Sequence, residues 1–240
     1  MASMVKRHQE QETDDFDEEG LLGDLEEGAP SEPAKKGPGR VFLAIMLGLL
    51  IILMVVPFYS IKADPEPKGI PTLSEAIVGL DIQPANHGKV EYADFPLLAK
   101  QASDDQVVKT VADRIASHSC RSGETVCQAK AMFYFVRDKF SYVADPASFD
   151  YIKTARESLM SQGGDCDDAS LLLASLLSSV GTRSRFIFIP GHVYVQAYLP
   201  EAIARYKDAD GWVNLDATCQ GCGFGETPYS TLDARKTVVG

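Results

Sequence analysis

The run Val41–Ile61, "VFLAIMLGLLIILMVVPFYSI", contains no charged residue. At about 1.5 Å of rise per residue a helix of this length matches the roughly 30 Å hydrocarbon core of a bilayer, and a helix apolar on every side leaves none for water. It is expected to span a membrane once. A cleaved signal peptide is the competing reading. The long acidic stretch ahead of the run is unlike a short basic leader, and no small-x-small cleavage motif follows it. Lys35, Lys36 and Arg40 crowd the N-terminal flank, while Lys62 and Lys68 on the other side are mixed with Asp64 and Glu66. By the positive-inside rule the N-terminus is cytoplasmic and everything after Ile61 lies outside the cell membrane, with lipid as the partner of the helix.

The span divides the chain. Residues 1–40 are polar and acidic, with "QETDDFDEEG" and "GDLEEG" followed by "PSEPAKKGPGR", and bury too little apolar surface to offset their ordering entropy. They read as a disordered cytoplasmic tail, with partner binding through "EEGLLGDLEEG" as the alternative. Residues 62–100 carry Pro65, Pro67, Pro71, Pro84 and Pro96 and read as a stalk or an irregular lead-in packed on the domain. The domain itself is placed at 101–240. A net charge of −11 with no basic cluster argues against a nucleic-acid partner.

Within the domain the hydrophobic period changes once. "SDDQVVKTVADRIASH" places Val107, Val108, Val111 and Ile115 at helical spacing, and "GETVCQAKAMFYFVRDKF" does the same from near Glu124. "SYVADPASFDYIKTARESLM" reads as a long loop holding a short helix. "SRFIFIP", "HVYVQAYLP" and "GWVNLDAT" are β-branched and aromatic runs, the first two joined at Pro190-Gly191. Helices followed by strands predict an α+β domain, N-terminal helices packed on an antiparallel β-sheet, preceded by one transmembrane helix.

Between the two patterns lies "SQGGDCDDASLLLASLLSSVG". Gly163 and Gly164 read as a sharp turn, Asp165 as an N-cap and Asp168 as its capping-box partner, so a helix is expected to start at Cys166. Orphan N–H groups and the positive end of the dipole there favour a thiolate, whereas the carboxylates of Asp165, Asp167 and Asp168 oppose it. Asp167 has Arg183 or Arg185 as a candidate structural partner. Ala169, Leu173, Leu176 and Val180 share the face of Cys166, which turns the thiol toward the strands. His192 opens one strand, and Asp216 lies in the next on one face with Trp212 and Asn214. A nucleophilic thiol needs a base, and the base needs an acceptor to fix its tautomer. Cys166, His192 and Asp216 meet those needs, with Asn214 a competitor for the third place. The backbone N–H of Cys166 is one oxyanion donor, and Gln162 or Tyr142 could add a second. His87 and His118 are not catalytic candidates. Read alone, Cys166 would be a small buried hydrophobe.

The run "GGDCDDASLLLASLLSSVGTRSRFIFIPGHVYVQAYLP" followed by "GWVNLDATC" resembles the transglutaminase-like superfamily, over roughly Ala129–Cys219. The resemblance implies a papain-like core in which Cys166 is the nucleophile, His192 the base and Asp216 the orienting acid. It implies an enzyme acting on amide bonds of a protein or peptide substrate, by hydrolysis or by acyl transfer through a thioester. A non-catalytic ectodomain that binds peptide or glycan is the alternative, because the family also holds members without activity.

Five cysteines are an odd number. Outside a membrane, paired thiols favour disulfides, and Cys120–Cys127 with Cys219–Cys222 is the favoured pairing of the three that four cysteines allow. A zinc site built from these four thiolates is the rival, and a dithiol redox role for "CQGC" is a weaker one. The sequence holds no P-loop, H-E-x-x-H, G-x-S-x-G or dinucleotide fingerprint, and nothing in it calls for a cofactor or a catalytic metal.

Overall fold

The structure, a computed structural model, describes residues 38–83, 90–145, 151–228 and 231–240. The acidic tail therefore lies outside the described residues up to residue 37, as does His87. Helix α1 (Pro38–Ala63) runs for 26 residues with Pro57 inside it. Pro38–Pro57 is long and apolar enough to cross a membrane, and none of that stretch is buried against protein.

The chain just past α1 is fastened to the domain. Lys130, with no exposed side-chain surface, places Nζ 2.5 Å from a carboxylate oxygen of both Asp64 and Glu66. Asp64 also accepts from the Tyr206 hydroxyl at 2.9 Å and from Arg205 at 3.0 Å. Burial lowers the tendency of Lys130 to keep its proton, but the two carboxylates outweigh it and its pKa ends above the usual lysine value. A buried ammonium paired on two sides is the arrangement that tolerates its desolvation.

Two short helices follow in the proline-rich region. α2 (Leu73–Ile77) starts at a Thr72/Glu75 capping box, and α3 (Phe95–Ser103) follows a single 3₁₀ turn at Tyr92–Asp94. Both are too short to show a sustained period, yet they feed the core: Leu73, Ala76, Phe95 and Ala99 are all buried. Phe95 packs edge-on against Phe186 at 5.2 Å.

The expected helices form where the apolar spacing put them. α4 (Gln106–Ser119) is capped by Asp105, whose side chain accepts from the N–H groups of Val107 and Val108. α5 (Thr125–Lys139) begins just after Glu124. α6 (Ala155–Ser161) is the short helix expected in the long loop. Two-residue strands β1 (Ser141–Tyr142) and β2 (Gly163–Gly164) pair in parallel and bring that loop back to α7 (Cys166–Ser179).

α7 packs on α3, α4, α5 and the sheet together. Leu171, Leu172, Leu173, Leu176 and Leu177 are each at most 2% exposed, so burial surrounds the helix instead of following one stripe. The sheet holds β3 (Ser184–Ile189), β4 (His192–Tyr198), β5 (Trp212–Leu215) and β6 (Thr237–Val239), ordered β5-β4-β3-β6 with every pair antiparallel. β3 and β4 meet in a two-residue turn, with Gly191 supplying a φ of 73°. Val193, Val195 and Ala197 join the main core. Alternation sets His192, Tyr194, Gln196 and Tyr198 on the opposite face.

The bridges are Cys120–Cys127, between the end of α4 and the first turn of α5, and Cys219–Cys222, beyond β5. Four thiols are thereby consumed and none is left to hold zinc. Cys166 is the free cysteine.

Candidate active site

The start of α7 is built by close approach. Gln162 ends α6 with a φ of 59°, the one non-glycine in the left-handed region among the described residues. Gly163 and Gly164 are extended. The direction of the chain therefore changes at Gln162, and the glycines serve a different need from the sharp turn expected of them. A Cβ on Gly164 would lie 2.2 Å from Asp168 Oδ2, and one on Gly163 would lie 2.9 Å from the Ser141 carbonyl. Only glycines let β2 pass between β1 and the first turn of α7.

Asp165 caps that turn by accepting from the N–H of Asp167 at 3.1 Å and of Asp168 at 3.5 Å. Asp168 completes the capping box, accepting from the Asp165 N–H at 3.3 Å. Fully buried, it also accepts from the backbone N–H of Lys153 at 2.7 Å and from its Nζ at 2.5 Å. Two of the three acids around the cysteine are thus occupied. The third, Asp167, accepts from the thiol, with Oδ1 3.6 Å from Cys166 Sγ. The proposed arginine partners stand at the far end of the β3–β4 hairpin. Arg183 lies over the Tyr198 ring, and Arg185 lies over Trp212 while donating to Gln196.

Cys166 is half-buried in the first turn, near the Val193 backbone N–H, which favours its thiolate. Burial pushes its pKa up to about 12, with the Asp167 carboxylate the next largest cause and Asp165 adding to it, while the Val193 N–H pulls the other way. The carboxylates and burial thus outweigh the helix end, and the resting sulfur is a neutral thiol.

His192 and Asp216 are in contact, Nε2 to Oδ2 at 2.8 Å. Asp216 is 1% exposed, and its other oxygen accepts from the Thr218 hydroxyl at 2.9 Å and from the Thr218 N–H at 3.2 Å. Asn214 is engaged elsewhere, accepting from Gln196 at 2.7 Å. With Nε2 held by the carboxylate, Nδ1 of His192 is the nitrogen left for a second partner. Tyr194 stacks beside the imidazole at 6.3 Å, and burial followed by the Asp216 charge raises the pKa of its phenol.

The structure therefore joins His192 to Asp216, and sets Cys166 against the backbone of Val193, the residue after His192. Ser170 Oγ ties the same residue to α7 by donating to the Val193 carbonyl at 3.1 Å. Of the two side chains weighed as oxyanion donors, Tyr142 is exposed in β1, which pairs with β2 just before Cys166, and burial raises its pKa, followed by Cys166, Asp165 and Asp167. Gln162 is an exposed connector. Asp165, Cys166 and Asp167 present three possible metal-ligand atoms within 4.8 Å of one another, although Asp165 Oδ1 already caps the helix. Sequence reasoning missed Thr218, Val193 and Lys153. The "DAT" run, an acid two residues before a hydroxyl, is a local signal for Thr218. Lys153 lies across a loop from Asp168 and has none.

Residues 109–217 match the family model described as the transglutaminase-like superfamily. This segment is a transglutaminase-like core. No curated protein matches the chain. Among solved structures, LapG of Legionella pneumophila is similar at 17% identity and a TM-score of 0.39, over 62% of this chain and 83% of that one. A candidate cysteine protease from Cytophaga hutchinsonii is 15% identical with a TM-score of 0.38, over 67% of this chain and 55% of the other. A candidate protease from Parabacteroides distasonis is 16% identical with a TM-score of 0.35 over 50% of this chain, which spans 29% of that protein's length. The transglutaminase-like core holds Cys166, His192 and Asp216 within its matched limits.

Proposed function

We propose that the chain is a membrane-anchored cysteine enzyme that opens amide bonds of a protein or peptide through a thioester on Cys166. The observation that carries this reading is the His192–Asp216 hydrogen bond, formed by a buried carboxylate whose second oxygen is held by Thr218. An imidazole fixed in this way is a base with one free nitrogen, in the residue beside the one that touches the thiol. Because the thiol rests neutral, attack is coupled to proton transfer. Nδ1 of His192 takes the thiol proton as Sγ bonds to the carbonyl carbon. The Cys166 N–H and the Tyr142 hydroxyl stabilise the oxyanion. The C–N bond then breaks, His192 gives its proton to the departing amine, and a thioester is left. Water or a second amine attacks the thioester, losing its proton to His192, and the thiol is restored as the acyl group leaves.

α1 anchors the domain, with the N-terminus cytoplasmic and the catalytic region outside. Two disulfides fit an oxidising compartment. A second reading, a peptide-binding ectodomain without turnover, is favoured by one observation, the raised pKa of Cys166. Detergent-solubilised full-length chain decides between them when assayed for cleavage of fluorogenic peptide amides and for incorporation of a dansylated amine into glutaminyl peptides. Activity in either assay that is lost in Cys166→Ser supports the enzyme, and inactivity of the wild type in both supports the binding module.

A further inference from the structure

Beside the candidate base lies a cavity of about 520 Å³, whose walls include Ile189, Pro190, His192, Asp216, Pro228 and Ala234. Cys166 does not line it. Its carboxylate and hydroxyls are already committed. Asp216 bonds His192 and Thr218, and the hydroxyl of Thr231, at its rim, donates to the Pro228 carbonyl at 2.8 Å. What the cavity offers a ligand is aliphatic, proline and disulfide surface, next to an imidazole edge. No lysine, arginine or glutamate is among the described residues of its walls.

In amide opening the imidazole nitrogen that took the thiol proton protonates the departing nitrogen, so the group that nitrogen carries lies against the imidazole and away from the acyl group on Cys166. An incoming amine in acyl transfer occupies the same place by reversal of the step. We propose that this cavity is the amine-side pocket of the enzyme and takes the uncharged apolar side chain of the residue whose nitrogen is released or accepted. The inference rests on the function proposed above and specifies its substrate: a peptide with an aliphatic residue directly after the scissile bond, or an amine of that kind as acceptor. Apolar pockets discriminate between side chains by roughly tenfold or more for added methylenes.

The test separates the pocket from the chemistry by using a protein unable to form a thioester. Full-length Cys166→Ala in detergent, with its histidine rings isotope-labelled, is titrated with leucinamide, glycinamide and aspartic acid amide while the His192 ring signals are followed by NMR. Leucinamide is expected to shift them with an affinity about tenfold or more above that of the other two. Ala234→Trp, which fills the cavity, and Pro228→Glu, which charges its wall, are each expected to remove that preference. Equal responses to leucinamide and glycinamide, or a preference that survives in whichever of the two variants folds, would overturn the proposal. A preference for leucinamide in a protein that turns over no substrate would sustain the pocket and refute the enzyme.

Discussion

Lys153 encloses the fully buried carboxylate of Asp168 from two sides, its backbone N–H on one oxygen and its Nζ on the other. The pair ties the loop between β1 and α6 to the first turn of α7, two residues from the free cysteine. Its partners are unequal: the Lys153 side chain is 19% exposed and that of Asp168 0%. Lys153→Met strands a buried anion, whereas Asp168→Asn leaves a lysine that reaches water. Lys153→Met is expected to cost about 3 kcal/mol or more, and Asp168→Asn less. Denaturant titration of the two variants checks the order, and equal losses would contradict it.

Two neighbouring positions are expected to respond in opposite senses to a change between glycine and a side chain. Gly164→Ala drives a Cβ into Asp168 and is expected to lower stability by about 2 kcal/mol. Gln162→Gly relieves a left-handed residue and is expected to raise it by about 0.5–1 kcal/mol. Thermal unfolding of both variants reads the two signs.

Asp216 and Asn214 are two residues apart on one face of β5 and its continuation, and only Asp216 holds His192. Asp216→Asn leaves the geometry and removes the charge that fixes the tautomer. It is expected to cut kcat by about 10³–10⁴. Asn214→Ala is expected to change kcat by less than about threefold, because Asn214 bonds Gln196. Steady-state kinetics of the two variants tests the assignment.

The thiol pKa sets two pH effects. Its folded-state pKa, about 12 against an ordinary 9.0, means that the folded protein keeps a proton the unfolded chain has lost. This contribution to stability is present below pH 9 and is lost as pH rises toward 12. Cys166→Ala should lack that alkaline loss when its unfolding is compared with wild type across this range. Asp167→Asn removes an anion that raises the thiol pKa, so it is expected to speed alkylation by iodoacetamide at pH 8. A fall of one pKa unit corresponds to about tenfold more thiolate. An unchanged rate would show that the Asp167 charge does not hold the proton.

Much of this architecture was legible in the residues, for reasons that explain the omissions. α4 and α5 carry several buried side chains at helical spacing, and β3 and β4 are β-branched and aromatic runs around a Pro-Gly turn. The Asp165/Asp168 capping box is local and could be read at once, as could the odd cysteine left by two close pairs. α2 and α3 span one to three turns, too few to establish a period, and β6 is three residues paired to an edge. The Lys153–Asp168 pair and the clasp of Lys130 on Asp64 and Glu66 depend on loops and on contacts far apart in sequence. The glycine pair is plain in the sequence and its purpose is not, because the atoms a Cβ would strike belong to Ser141 and Asp168 in the folded chain.

The central assignment, Cys166 as nucleophile with His192 as its base and Asp216 behind it, is tested most directly by intact-mass measurement of covalent labelling. A peptide chloromethyl ketone with wild-type full-length protein at pH 7 is predicted to add once, at Cys166, at least about 100-fold faster than with His192→Ala. Equal rates in the two proteins, or an adduct at another residue, would contradict it.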